Sequence, residues 1–198
     1  MAENENDQII GIKVILLGES GVGKTSLINV TLGGEFNDQI TSTISSYYVK
    51  KDYIINSQKY HINLWDTAGE EKYKYLTKLF YKGSDIVVFV YDITSKKSFE
   101  NLNNWINEVR DTIDNKYICG IVGNKKDLFV SEVVKEDEGK EFAKNHNMKF
   151  KLVSAKDGPK SFTDFLEELI NDSLENLKEK RKEVSLKNDK NKRNGCRY

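Results

Sequence analysis

The stretch Gly18–Ser26, GESGVGKTS, constrains this chain more than any other. It satisfies the pattern G-x-x-x-x-G-K-[S/T], follows the apolar run Ile12–Leu17 and precedes a segment of helical character. Strand, glycine loop and helix in that order are what the pattern needs to cradle phosphate. Gly18, Gly21 and Gly23 let the backbone turn with its N–H groups inward, where they and the helix N-terminus can hold α- and β-phosphates. The binding stretch is Ser20, Gly21, Val22, Gly23, Lys24, Thr25 and Ser26. Lys24 can reach the β- and γ-phosphates as a point charge, and Thr25 offers a hydroxyl to Mg²⁺. A glycine turn with an accidental Lys-Thr is the plain alternative, and the flanking strand and helix argue against it. The loop alone chooses neither between ATP and GTP nor between hydrolysis and phosphotransfer.

Apolar runs of strand length recur at Ile9–Leu17, Ile62–Trp65, Ile86–Tyr91 and Ile118–Val122, with a shorter one near Phe150–Val153. Several are continuous rather than alternating, which predicts strands buried on both faces of a sheet. Between them, Phe99, Leu102, Trp105, Ile106 and Val109 recur at helical spacing over Phe99–Thr112. Phe162, Phe165, Leu166, Leu169 and Ile170 form a second such stripe. Alternating strands and helices predict an α/β layer fold with a mostly parallel sheet. Tyr47–Ile55 and Lys59–Trp65, joined by NSQ, predict an antiparallel hairpin feeding that sheet. The domain is expected to run from Asp7 to Leu177, followed by a basic tail over residues 178–198.

Further polar stations stand near strand ends. Asp66, in INLWDTAGEE, closes the hairpin's second strand. A carboxylate there can bind Mg²⁺ through a water opposite Thr25. It could also cap a following helix, although the phosphate loop favours the metal role. Gly69, two residues after Thr67, can bring a backbone N–H to a γ-phosphate. The polar stretch NDQITSTISS is long enough to fold back over a nucleotide, with one hydroxyl binding Mg²⁺ only when the γ-phosphate is present. On chemistry alone, Thr41, Ser42, Thr43 and Ser45 are equal in that role.

GNKKD, Gly123–Asp127, follows the strand Ile118–Val122. Asp127 can accept two hydrogen bonds from guanine N1–H and its 2-amino group, whereas adenine would leave the carboxylate unpaired. Asn124 can tie loops together, and Lys125 can lay its aliphatic stem along the ring. In SAK, Ser154–Lys156, a backbone N–H near Ala155 can meet guanine O6. Strand carboxyl ends are where open α/β sheets bind ligands.

Charge narrows the function classes. Lys and Arg number 31, as do Asp and Glu, so broad electrostatic wrapping of nucleic acid is excluded. From Glu175 onward nine residues are basic and four acidic, which makes the tail +5 and the body −5. Such a block can meet an acidic membrane leaflet, or simply keep the chain soluble. Two cysteines, Cys119 in an apolar run and Cys196 near the end, make no disulfide framework and point to a reducing compartment. The polar start MAENENDQ is no signal peptide, and no run of about 18 apolar residues exists. A P-loop kinase of small metabolites would need an Arg-rich acceptor lid; only Arg110, Arg181, Arg193 and Arg197 occur.

Together these stations resemble the Ras superfamily of small GTPases, most closely its Rab branch, over roughly residues 9–175. GESGVGKTSL resembles the phosphate loop, WDTAGEE switch II, and NKKD with SAK the guanine motifs. Thr43 matches the switch I threonine by its spacing from Lys24, and Phe36 falls where the family sets an aromatic against the guanine face. KYKYLT (Lys72–Thr77), FYKGS (Phe80–Ser84) and FVYDIT (Phe89–Thr94) resemble Rab effector-facing segments. The resemblance implies a P-loop GTPase domain with a mostly parallel six-stranded sheet, one antiparallel edge strand and helices on both faces. It implies GTP or GDP bound with Mg²⁺, the metal held by Thr25, Thr43 and Asp66, and a catalytic set of Lys24, Thr43, Gly69 and position 70. It implies an exchange factor, an activating protein, effectors and a GDP-dissociation inhibitor as partners. It also implies a monomer that regulates vesicle traffic, cycling between cytoplasm and the cytosolic face of endomembranes.

Three departures from the family pattern stand out. Glu70 occupies the place of the usual water-orienting glutamine. A carboxylate can accept from water but has no N–H to offer the developing phosphoryl charge, so slow turnover is expected, or a GTP-binding module without hydrolysis. Ser45 stands where Rabs have glycine, in TISSYY, where Tyr47 and Tyr48 point to opposite faces. One of those rings is expected to pack on Trp65 or Tyr73 while the other faces outward, as an effector contact or as an ordinary exposed tyrosine. Finally, Cys196 is third from the end, where a C-a-a-X box needs it fourth. It is either prenylated by a Rab-type transferase or a free thiol.

Overall fold

A computed structural model describes residues 10–37, 47–55, 58–67, 80–113 and 116–174. Strand β1 (Ile10–Leu17) leads into helix α1 (Lys24–Thr31), then β2 (Tyr47–Ile55) and β3 (Gln58–Asp66). There follow β4 (Ile86–Asp92), α2 (Lys96–Glu100), α3 (Leu102–Thr112) and β5 (Ile118–Asn124). A 3₁₀ turn (Lys126–Ser131), α4 (Glu136–Asn145), β6 (Lys149–Leu152) and α5 (residues 160–174) complete the described chain. The six strands form one sheet in the order β2-β3-β1-β4-β5-β6. Only β2 with β3 is antiparallel; every other pair is parallel.

The apolar runs explain this layering. Side chains alternate across a strand, so β1 sends Ile12, Val14 and Leu16 to one layer and Ile15 and Leu17 to the other. β4 divides likewise, with Val88 and Val90 against Val87, Phe89 and Tyr91, and every β4 residue is buried. The first layer closes on Leu27 and Ile28 of α1 and on Phe162, Phe165, Leu166 and Leu169 of α5. The second closes on Trp105, Ile106 and Val109 of α3 and Ala143 of α4. Both expected helical stripes are therefore buried. Among the described residues, no helix is long and apolar enough to cross a membrane.

Some boundaries differ from expectation. The Phe99–Thr112 stripe is shared by α2 and α3, which meet at Asn101. Bonds from Asn101 N to Lys97 O (3.0 Å) and from Trp105 N to Asn101 O (3.3 Å) carry the turn through, so the stripe stays on one face. Ser95 starts α2 by accepting from Ser98 N. The hairpin pairs further than expected, from Tyr47↔Asp66 to Ile55↔Gln58. Cys119, whose apolar run suggests a buried thiol, is only partly buried. β1 lies between β3 and β4, so the chain leaves it first to one side and later to the other. Crevices for ligands form at such a switch point, beyond the strand carboxyl ends. The phosphate loop leaves β1 there.

Candidate nucleotide site

Close backbone approaches decide two of the loop's glycines. A Cβ on Gly18 (φ +148°) would lie 2.1 Å from the Val90 carbonyl oxygen, and one on Gly23 (φ +93°) 2.4 Å from Asn124 Nδ2. The loop is thus pressed against β4 and β5 where only glycine fits. At its end, Lys24 folds back and its Nζ donates to Gly18 O (2.8 Å) and Glu19 O (2.9 Å). Its ammonium is buried, which pulls its pKa down to about 8 against the opposing pull of Asp66 and Glu19. A buried cation held chiefly by carbonyls is an electrostatic seat for an anion. Val22 is buried, Ser26 half-buried on α1, and Ser20 exposed at the loop's outer turn.

Beside the loop, Thr25 Oγ1 donates to Asp66 Oδ2 at 2.6 Å. Asp66 is fully buried at the end of β3, and Thr67 Oγ1 donates to Leu16 O at 2.6 Å, which fixes that strand end against β1. A hydroxyl and a carboxylate in contact beside a phosphate seat are hard oxygen donors of the kind Mg²⁺ takes, so the residues present fit this ion.

The base-facing stations converge on one buried side chain. Asn124 Nδ2 donates to Val22 O (2.8 Å), and Ala155 N donates to Asn124 Oδ1 (3.3 Å). Asn124 therefore ties the phosphate loop to the SAK segment, as the sequence led us to expect. Ser154 Oγ donates to Asp127 Oδ1 (2.6 Å) and accepts from Asp157 N (3.1 Å), which aims the Asp127 carboxylate. Lys126 N donates to Val153 O (3.0 Å), closing the two segments on each other. Lys125 sits in the left-handed region (φ +65°), and its Nζ pairs with Asp92 Oδ2 at 2.6 Å. Lys156 is exposed beside them, and Phe36 is half-buried against the layer that holds α1. Thr43, Gly69, Glu70 and Cys196 lie outside the described residues, as do Thr41, Ser42, Ser45 and the Lys72–Thr77 segment.

With this geometry in view, residues 13–175 match the Ras family. Curated relatives agree. GTP-binding protein ypt3 of Schizosaccharomyces pombe is 36% identical over 155 residues, covering 78% of this chain and 72% of that protein. Ras-related protein RabC of Dictyostelium discoideum is 35% identical over 189 residues, covering 93% and 96%. Ras-related protein Rab-18 of Lymnaea stagnalis is 38% identical over 171 residues, covering 84% of each.

The chain belongs to the Ras family.

Among its relatives this Ras-family protein is Rab-like, a small GTPase with the six-stranded α/β fold described above. Its site contains positioning residues that sequence reasoning missed. Asp92 divides its carboxylate: Oδ2 holds Lys125, while Oδ1 accepts from Thr94 N (2.8 Å) and Thr94 Oγ1 (2.7 Å). The FVYDIT segment was the available signal, read only as a likeness. Trp105, read as a core residue, also donates its indole N–H to Glu19 Oε1 (3.2 Å), linking α3 to the phosphate loop. Periodicity shows the burial of such a ring and not its polar edge.

The expectation about the hairpin holds for one ring: Tyr48 stacks on Trp65 (ring centroids 5.1 Å apart) and is also 58% exposed, while the Tyr47 side chain lies outside what the structure describes. Phe80 lies 5.2 Å beyond Trp65, and Lys13 Nζ sits 4.7 Å from the Trp65 ring centroid. Tyr73 lies outside the described residues.

Proposed function

We propose that this Ras-family protein is a guanine-nucleotide switch that binds GTP and GDP with Mg²⁺, hydrolyses GTP slowly and acts in vesicle traffic through effectors. The observation that carries the reading is the Asn124 bridge, which sets the phosphate loop and the Asp127 carboxylate in one frame. Asp127, aimed by Ser154, reads guanine N1–H and the 2-amino group, and a backbone N–H near Ala155 meets O6, the Ala155 N–H itself being shared with Asn124 Oδ1. Gly21–Ser26 wraps the phosphates and Lys24 neutralises them. Bound Mg²⁺, held by Thr25, Asp66 and Thr43, would neutralise charge on the β- and γ-phosphates. Gly69 offers its N–H to the γ-phosphate, and Phe36 covers the base.

Slow hydrolysis rests on Glu70. In Ras itself, stimulation by an activating protein raises the rate about 10⁵-fold, with a glutamine orienting the attacking water. Glu70 can accept from that water but cannot donate to the phosphoryl oxygens, and it adds negative charge beside them. The same residue supports a second reading, a GTP-dependent interaction module without turnover. Exchange factor, activating protein, effectors and GDP-dissociation inhibitor are the partners this reading calls for. The exposed Tyr48 ring beside Trp65 and Phe80 is the effector contact. Residues 7–177 make up the monomeric GTP-binding domain, and the basic stretch 178–198, prenylated at Cys196, brings it to the cytosolic face of endomembranes.

Chromatography of nucleotide released from the purified protein should give GDP or GTP and no adenine nucleotide. Single-turnover hydrolysis should accelerate in the Glu70→Gln variant. Released adenine nucleotide would sink the guanine reading. Unchanged turnover, with and without an activating protein, would sink the assignment of the slow step to Glu70.

A further inference from the structure

The described residues assigned above to nucleotide and metal cluster at the carboxyl ends of the strands. At the opposite end of the sheet, a cleft of about 330 Å³ opens between the end of α3, the starts of β5 and β6 and the end of α5. Its size falls at the lower edge of the range for small-molecule sites, about 300–1,000 Å³. Ile118, Cys119 and Met148, each partly buried, supply its apolar lining.

The polar lining is unevenly charged. Among the described residues its one carboxylate, Asp172, is engaged by Lys149 at 2.9 Å. Arg110 makes no ion pair among the described residues, so among them the cleft lining carries an unmatched positive charge. The guanidinium lies close enough to the Tyr117 hydroxyl and the Cys119 thiol to favour ionisation of both, opposing the larger effect of their burial. Arg110 is among the residues that line the cleft. His146 Nδ1 lies 2.9 Å from Phe142 O, which holds the ring at the cleft wall.

We propose that this cleft is a second ligand site, one that takes a small apolar or aromatic monocarboxylate. Arg110 holds the carboxylate by its paired N–H groups, and Ile118 and Met148 receive the body of the molecule. The cation left unpaired among the described residues matches a single negative charge. A phosphate monoester carries about −1.5 to −2 at neutral pH, so it would exceed that charge while facing Asp172. β5 separates the cleft from Asn124 by about 20 Å, so carboxylate and nucleotide bind without competing.

The test titrates benzoate into the full-length protein, with GDP and Mg²⁺ added, and follows amide shifts by NMR. Saturable shifts are expected at residues 117–119 and 146–149, and none in Gly18–Thr25. Benzamide, the neutral isostere, and phenyl phosphate should each bind about tenfold more weakly or worse, as should benzoate to Arg110→Met. Met148→Trp fills the cleft and should abolish binding with Arg110 in place; circular dichroism and thermal midpoint check that both variants fold. The absence of saturable shifts would overturn the proposal. So would benzamide or phenyl phosphate binding as tightly as benzoate, or undiminished benzoate binding by a folded Arg110→Met or Met148→Trp variant.

Discussion

Asn124→Ala removes the side chain on which the phosphate loop and the base-facing segments both rest. Asn124 is 1% exposed, donates to Val22 O at 2.8 Å and accepts from Ala155 N at 3.3 Å. A net hydrogen bond contributes about 0.5–1.5 kcal/mol, and a buried polar group left without its partner costs about 1–3 kcal/mol. The Ala155 bond is long, so the Val22 carbonyl dominates, and the expected loss is about 2–4 kcal/mol. With a urea m-value of about 2 kcal/mol/M, the unfolding midpoint of the nucleotide-free protein should fall by about 1–2 M. Asn124→Asp keeps an acceptor for Ala155 but turns a carboxylate oxygen toward the Val22 carbonyl, and should be no better tolerated.

A second substitution makes the prediction sharper. Gly23→Ala incurs backbone strain of about 1–3 kcal/mol at a positive φ, and its Cβ meets Asn124 Nδ2 at 2.4 Å. In the Asn124→Ala background that atom is gone and only the strain remains. The double variant should therefore be more stable than the sum of the singles predicts, by about 1 kcal/mol or more. Additivity within about 0.5 kcal/mol, or a loss below about 1 kcal/mol for Asn124→Ala alone, would refute the bridge as we describe it.

Two further predictions address other parts of the molecule. Asp92→Asn keeps Oδ1 for Thr94 but replaces the oxygen that holds Lys125, so GDP should dissociate about tenfold faster with little change in unfolding midpoint; an unchanged off-rate would show that Lys125 needs no anchor. Burial pushes the Cys119 thiol up to about 12, only partly opposed by Arg110, so its thiolate is scarce at ordinary pH. At about pH 8 it should react with iodoacetamide on the order of 10³-fold more slowly than an exposed thiol. Peptide-resolved mass spectrometry of a time course measures this, and comparable rates for Cys119 and a free thiol standard would contradict it.

What the sequence showed and what it hid follow from the range of the interactions. The phosphate loop was legible because glycine sterics and neighbouring N–H donors act within a few residues. The buried strands were legible because a parallel sheet covered on both faces forces continuous apolar runs, as in β4. Strand order was not written in those runs; any permutation of equally apolar strands reads the same, and the family likeness was read only for six strands with one antiparallel edge. The Asp92–Lys125 and Glu19–Trp105 pairs join residues far apart in the chain, the second by 86 positions, and no local pattern announces either. Tyr48 shows what alternation alone does not say, that one ring can pack and stay exposed. It belongs to an edge strand, where a ring can lie on its cross-strand neighbour and keep its outer side in water.

The same separation by range bears on Glu70. Nucleotide affinity in the proposed switch draws on the loop amides, Lys24, Asn124 and Asp127, groups fixed by glycine sterics and buried hydrogen bonds. Rate draws on whatever orients water at the γ-phosphate, and the Asn124 bonds described above run to Val22 and Ala155 instead. A change at position 70 can slow turnover without loosening the nucleotide, since only an interaction stronger in the transition state than in the ground state alters the chemical step. Glu70→Gln should therefore raise single-turnover hydrolysis while leaving GDP affinity within about twofold of the parent. A variant that gained rate only in proportion to a change in affinity would place Glu70 among the binding groups and end its role as a separate control of rate.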